Sequence, residues 1–402
     1  MNGLDLIASR PHRALRIVVH NQVLFTLVIV AAAAVASSGF VSIAPNRLVS
    51  GTALTLWKAA GGLPSLGIAV LGSILLSACC IAPSRALHYA AAASAALLLL
   101  LALIAAGHAA TTVIVSAKPG SRISLGAAFW VLAGCASLAL VDAMQRLVAG
   151  IGAQLVIGIA IVSAVVWLAV TGTFDALSIA REYETRRQVF TGALLQHMAL
   201  VGTSVGGAVV IGFPLGVLAA RRSQLQGPIF AILNLLQTIP SIALFGLLII
   251  PLSALVATVP WLAALGIAGI GVTPAIIALV LYALLPVVRN TSAGLTGVDR
   301  AAIEAGRGMG LSRRQIFWQL ELPLASPVLL AGLRIVIVQA IGLAVVAALI
   351  GAGGLGTFVF EGLGQYAVDL VLLGALPAIF LALGADFLLQ LAAALLRRRF
   401  AT

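Results

Sequence analysis

The sequence predicts an all-α polytopic membrane protein of about ten transmembrane helices, and three observations predict it. Apolar residues fill 62% of its 402 positions and charged ones only 8%, far from the balance of a soluble globular domain. The apolar residues fall into runs of about 20, the length that crosses a bilayer as a helix. Nearly all of the 23 lysines and arginines sit at the ends of those runs, as topology signals do.

Taken in order, Arg10, Arg13 and Arg16 precede an apolar run from Val23 to about Ala44. Ala34-Val35-Ala36 has the form of a signal-peptidase site. The run continues beyond it and further runs come at once, so a retained first span is expected. More spans are predicted near 63–82, 86–107, 126–148 and 151–172. The segment Arg181 to Arg187, REYETRR, is too charged to bury in lipid and marks a boundary. Residues 1–190 then form an N-terminal extension of about five helices, and 191–402 a second domain. Spans in that domain are predicted near 196–219, 228–250, 273–290, 325–349 and 368–395, with 251–272 a re-entrant or surface loop. Gly202 with Gly206, and Gly212 with Gly216, give the first of these a small-residue face for helix contact.

Pro240 falls near the middle of the next span, beside Gln237, Thr238 and Ser241. A proline kink frees a carbonyl that polar neighbours can satisfy. The same four residues could instead line a path through the membrane, and both readings stand at this point.

Composition also excludes classes of chemistry. Cys79, Cys80 and Cys135 lie inside apolar runs and read as small buried residues rather than a disulfide or metal site. HExxH, CxxC and GxSxG patterns are missing, as is the GxxxxGK[ST] of a P-loop ATPase. No catalytic and no metal-binding residue is expected. Asp142, Asp369 and Asp386 lie in or near apolar runs, with Asp386 the deepest. A lone carboxylate with no basic partner at its depth argues weakly for proton coupling. His108 and His197 are expected at solvated span ends.

The most polar stretch between two spans is 299–323. Ser312 and Gln315 have the spacing of a capping box, so a helix should start near Arg313 and stop before Pro323. Gly306, Gly308 and Gly310 should break the helix that begins after Asp299. Two short angled helices on the membrane surface are the result. Fifteen arginines between Arg10 and Arg399 share this stretch's side of the membrane. The opposite loops hold seven basic residues: Arg47, Lys58, Lys118, Arg122, Arg181, Arg186 and Arg187. The positive-inside rule makes the richer side, and both termini, cytoplasmic.

Glu304, Ala305, Gly310, Leu322 and Pro323 match the EAA loop, E-A-A-x3-G-x9-I-x-L-P, of type I ABC importer permeases. Gly306 stands where alanine is usual, and Leu320 where isoleucine is usual. The chain therefore resembles that family over about residues 196–395. The resemblance implies that the last five helices form a permease core. Its loop at 299–323 would form coupling helices that dock into a groove on a cytoplasmic ATPase subunit. ATP and Mg would belong to that partner, with no cofactor in this chain. It also implies an extracytoplasmic substrate-binding protein, a second permease (a copy or a related chain) and the bacterial inner membrane. The strings Gln237 to Gly246 and Gly351 to Gly356 look like those of permeases for glycine betaine, choline and related quaternary amines. Gly351, Gly353, Gly354 and Gly356 would then form an outer gate or docking loop. Amino-acid permeases share the glycine string less closely, which keeps methionine-like substrates open; a stand-alone proton-coupled secondary transporter is the reading from another class. Trp261, Tyr282, Trp318 and Tyr366 are scattered rather than clustered. A cage for a quaternary ammonium is thus expected on the binding protein, not here.

Overall fold

The computed structural model describes residues 19–46, 49, 51–115, 117, 118, 120–148 and 150–400. The topology signals at Arg10, Arg13, Arg16 and Arg47 lie outside these residues, as do the side chains of 397–400. The backbone divides into two compact units between Ser178 and Ile179.

The first unit contains α1 (Gln22–Ser37), α2 (Leu56–Ala60), α3 (Gly62–Cys80), α4 (Arg85–Val115), α5 (Ala127–Arg146) and α6 (Ile151–Val170). The apolar run predicted to reach Ala44 as one helix stops at Ser37. It continues as β1 (Val41–Ala44), which pairs antiparallel with β2 (Thr52–Leu54) and β3 (Arg122–Leu125) in the order β2-β1-β3. Val41 faces Leu54 on one side and Leu125 on the other. The all-α expectation thus holds for the spans but misses this small sheet, whose strands are too short to show a clear alternation.

At the other end of the unit the His20 N–H donates to the Cys79 carbonyl at 2.8 Å. Asn21 caps α1 by accepting from the Leu24 N–H at 3.0 Å. Its amide donates to Asp142 at 2.7 Å, and Arg146 reaches both Asp142 (2.9 Å) and Asn21 (3.0 Å). Asp142 therefore has a basic partner one turn along its own helix. The three cysteines are free, with Cys79 and Cys135 buried.

The second unit contains α7 (Ser178–Thr185), α8 (Arg187–Arg221), α9 (Ser223–Thr238), α10 (Ser241–Thr258), α11 (Trp261–Ala264), α12 (Val272–Thr296), α13 (Arg300–Gly308), α14 (Arg313–Ile316), α15 (Leu322–Val346), α16 (Gly356–Gly364) and α17 (Val368–Phe400). Its core is the seam of α8 and α12, flanked by α15. Gly212 and Gly216 allow the approach: a Cβ on Gly216 would lie 2.5 Å from Thr291, and one on Gly212 2.8 Å from Val287. The other small pair, Gly202 and Gly206, meets nothing within 4 Å. Leu279, Ala340, Ile341, Ala344 and Ala378 extend the core to α17.

The charged segment at the boundary is not simply solvated. Glu182 is 1% exposed, and Arg186 binds both oxygens of Glu361 on α16 at 2.8 and 3.0 Å. The segment 251–272 is also more regular than a loop, because α10 runs through Pro251 to Thr258 before the chain turns. Among the described residues nine helices are long and apolar enough to cross a membrane, and the 16-residue α1 falls just short. The chain is a multi-pass membrane protein.

Candidate functional site: the turn at 299–323

Asp299 starts α13 by accepting from the Ala301 N–H at 3.0 Å. The helix then runs through Gly306 to Gly308, against the expectation that these glycines break it. Gly310 does the breaking. With φ +82° it holds a left-handed backbone that side-chain-bearing residues rarely adopt, and α13 ends at Gly308, two residues before it. Gly306 is required for another reason: it is buried where α13 leans on the next helix. A Cβ there would stand 2.5 Å from Leu320 Cδ1 and close to Leu311 and Ile316.

Ser312 and Gln315 form the predicted capping box, with bonds of 3.3 Å and 2.8 Å. The helix begun there does not stop before Pro323. The coil widens into a π-helical turn over Phe317–Glu321, where the Leu322 N–H reaches back to the Phe317 carbonyl, and α15 continues with Pro323 in its first turn. The proline is tolerated because a residue in the first turn of a helix has no obligatory N–H partner; the wider turn joins the two coils without a gap.

An apolar cluster fixes the turn to the bundle. Leu295 from the end of α12, Val298 just beyond it, Ala325 from α15 and Phe317 pack with Val217 and Ala220 of α8 and Ile303 of α13. Beside it Arg221, in the last turn of α8, donates to both oxygens of Glu321. The outer surface of the turn carries Glu304, Ala305, Arg307, Arg313 and Arg314, all exposed. Met309 is 72% exposed and Trp318 56%. This apolar-plus-basic face, held rigidly from behind, has the composition of a protein docking surface.

Two family models match the chain. "Binding-protein-dependent transport system inner membrane component" covers residues 212–402, which include the whole turn. "ABC transporter permease YehY, N-terminal domain" covers residues 20–180. A 199-residue alignment gives 44% identity to the osmoprotectant import permease protein OsmW of Salmonella typhimurium, covering 48% of this chain and 86% of that protein. The chain belongs to the ABC importer permeases. Other members with similar sequences are the carnitine transport permease protein OpuCB of Listeria monocytogenes and the choline transport system permease protein OpuBB of Bacillus subtilis. The first is 40% identical, covering 48% of this chain and 82% of its own. The second is 36% identical, covering 49% and 83%. An inward-facing structure of the MetNI methionine ABC transporter aligns over 54% of this chain and 98% of its own, at 25% identity and a TM-score of 0.44.

The permease's other predicted sites lie away from the turn. At Pro240 the expected kink is a full break: α9 ends at Thr238, Ile239 is extended and α10 starts at Ser241. Tyr282 of α12 repairs it, donating its hydroxyl to the Ile239 carbonyl while its own carbonyl accepts from Gln237 Nε2 at 2.9 Å. Thr238 bonds back to Leu235 at 2.7 Å. These contacts give Gln237 and Thr238 structural partners, and Thr238 and Pro240 remain exposed.

The glycine string at 351–356 is a packed turn. Gly351, Gly353 and Gly354 all have φ between 75° and 79°. Ala352 and Leu355 are fully buried, and Gln196 on α8 donates to the Ala352 carbonyl at 2.8 Å. His197 lies directly beneath, with its Nδ1 3.2 Å from where a Gly354 Cβ would stand. It is fully buried, with no hydrogen-bond partner for either ring nitrogen among the described residues. That overturns its expected place at a solvated end; His108 is exposed as expected. Asp369 is buried too, in the first turn of α17.

Sequence reasoning missed the ion pairs. Asp386 is held by both Arg334 Nε and, at 2.9 Å, Arg334 NH2, with Gln390 at 2.8 Å. Arg334 is the one lysine or arginine of the 23 that falls in neither set of loops. A cation at that position, 52 residues before the deepest carboxylate, was the available signal. The Arg221–Glu321 pair had none, since both residues sit at span ends where charges are ordinary.

Proposed function

We propose that this permease is the membrane subunit of a binding-protein-dependent importer for a quaternary-ammonium osmoprotectant such as glycine betaine, choline or carnitine. The similarity to osmoprotectant, carnitine and choline permeases over the second unit carries this reading. The exposed face of α13 and α14 docks into a cytoplasmic ATPase, and the positive-inside bias puts it and both termini on that side. The chain itself does no covalent chemistry and holds no cofactor. ATP and Mg bind the ATPase, whose closure draws two such turns together and tilts the bundles between inward-open and outward-open states. A second permease, a copy or a related chain, completes the path, and a separate extracytoplasmic protein selects the substrate. Glu304, Ala305, Gly306, Gly310, Leu320, Leu322 and Pro323 build the coupling turn. Gln237, Thr238, Pro240 and Ser241 flank the path, and the 351–356 turn closes it on the outer side.

Uptake by proteoliposomes holding the permease, its ATPase and its binding protein tests this. ATP-dependent accumulation of glycine betaine or choline, and none of methionine, is the expected result. Accumulation without the ATPase, driven by a proton gradient, would return the chain to the secondary transporters.

A further inference from the structure

We infer that Arg221 and Glu321 form the strut by which the coupling turn moves α8, which makes them positioning residues for transport; the inference rests on the coupling reading above. Glu321 is 4% exposed. A carboxylate that deep is costly unless donors satisfy it, and Arg221 supplies two, one at 3.0 Å and one shorter. A two-pronged guanidinium–carboxylate contact fixes direction as well as distance. The guanidinium also lies 5.8 Å from the centre of the Phe317 ring, which adds a cation–π contact. The two residues are 100 positions apart in the chain, so the pair joins elements the backbone does not connect directly.

The π-helical turn explains why Glu321 can face α8. One extra residue in a coil rotates the succeeding residues by about 100° relative to an uninterrupted α-helix. Glu321 closes that turn, and the rotation brings its carboxylate to Arg221 while Leu320, its neighbour, meets Gly306. Both faces of this short segment are thus used: one receives α13 from the docking surface and the other is bound to the end of α8. The apolar cluster of Val217, Ala220, Ile303 and Phe317 keeps the elements together but is non-directional. The ion pair is the contact that can transmit a pull. Within the EAA pattern Glu321 occupies the unassigned position between Leu320 and Leu322, and Arg221 is outside the pattern.

The test uses the assembled complex in proteoliposomes, with radiolabelled glycine betaine uptake and ATP hydrolysis measured on the same vesicles. Glu321→Gln keeps the side chain's size and removes its charge. We expect the ATPase to co-purify and hydrolyse ATP as before, with substrate moved per ATP reduced about tenfold. Arg221→Gln should do the same. The exchange Arg221→Glu with Glu321→Arg should recover at least half of the lost coupling. Should either single variant fail to accumulate, Arg221→Lys, which keeps the charge and loses the fork, provides the same readout. An unchanged ratio in the single variants overturns the strut, as does an exchange no better than they are. Loss of the ATPase from the Glu321→Gln complex overturns it too, because the pair would then belong to the docking surface. A Glu304→Lys complex that keeps its ATPase and full uptake would instead remove the coupling reading on which the strut rests.

Discussion

Gly306 and Leu320 touch: a Cβ on the glycine would stand 2.5 Å from Leu320 Cδ1. These are the two positions at which the turn departs from the EAA pattern, glycine for alanine and leucine for isoleucine. The departures compensate, because the leucine reaches into the space that the missing methyl leaves. Gly306→Ala alone should overpack the elbow and cost about 1 kcal/mol, the low end for core overpacking, since a leucine tip can shift. Gly306→Ala with Leu320→Ile should recover most of that. Thermal unfolding of the detergent-solubilised permease, compared across the two singles and the double, measures the coupling.

Glu304→Lys reverses a charge on the exposed face of α13 without touching the interior. It should abolish co-purification of the ATPase while membrane levels stay normal. Gly310→Asp should abolish it as well and also lower the melting temperature, because the φ of +82° costs about 1–2 kcal/mol for a residue with a side chain. A pull-down with tagged ATPase and a thermal scan separate the two effects.

Tyr282→Phe removes the donor that repairs the break before Pro240 and leaves the Ile239 carbonyl unsatisfied. A loss of about 1–3 kcal/mol is expected. Gln237→Leu takes away the reciprocal bond and should slow uptake without weakening ATPase binding. If Gln237→Leu lowers stability and leaves uptake per folded permease unchanged, the cluster is structural only.

Asp386→Asn should leave Arg334 without its anion in the middle of two spans. An arginine left unpaired at that depth has neither its anion nor bulk water around it, so the cost should reach the roughly 3–5 kcal/mol of breaking a buried pair. Asp386→Leu together with Arg334→Leu should be close to neutral, since neither charge then lacks a partner. Denaturation in detergent with all three variants decides between these outcomes. A double variant less stable than Asp386→Asn would contradict the prediction.

The features legible in the sequence are those set by local physics. The places of most spans, the capping box at Ser312 and the glycine-to-proline spacing of the turn depend on neighbours in the chain, whereas the lengths of α4 and α8, 31 and 35 residues, exceed the predicted spans. The features that were not legible depend on partners far away. Pro323 was expected to end a helix because a proline breaks the regular ladder; the π-helical turn before it was not anticipated. His197 was read as solvated from its place at a span end, and the Arg181–Arg187 segment as too charged to bury in lipid, yet packing buries both His197 and Glu182. Asp386 was read as isolated because Arg334 lies on another helix, and no spacing rule joins them.

The pairing of β1 with β3 also fixes a parity. Paired strands lie about 5 Å apart, so Val41 and Leu125 share one side of the bilayer, and the chain between them traverses it an even number of times. α3 and α4 are those two passages. At the opposite end the His20–Cys79 bond imposes the same condition on α1 and α3. α1 should therefore run from one face to the other although it is about 24 Å long, and a helix that short would draw the bilayer thinner around it. With α5 and α6 the described residues of the first unit would then make five passages, an odd number. Val170, at the end of α6, would then lie on the face opposite residue 19.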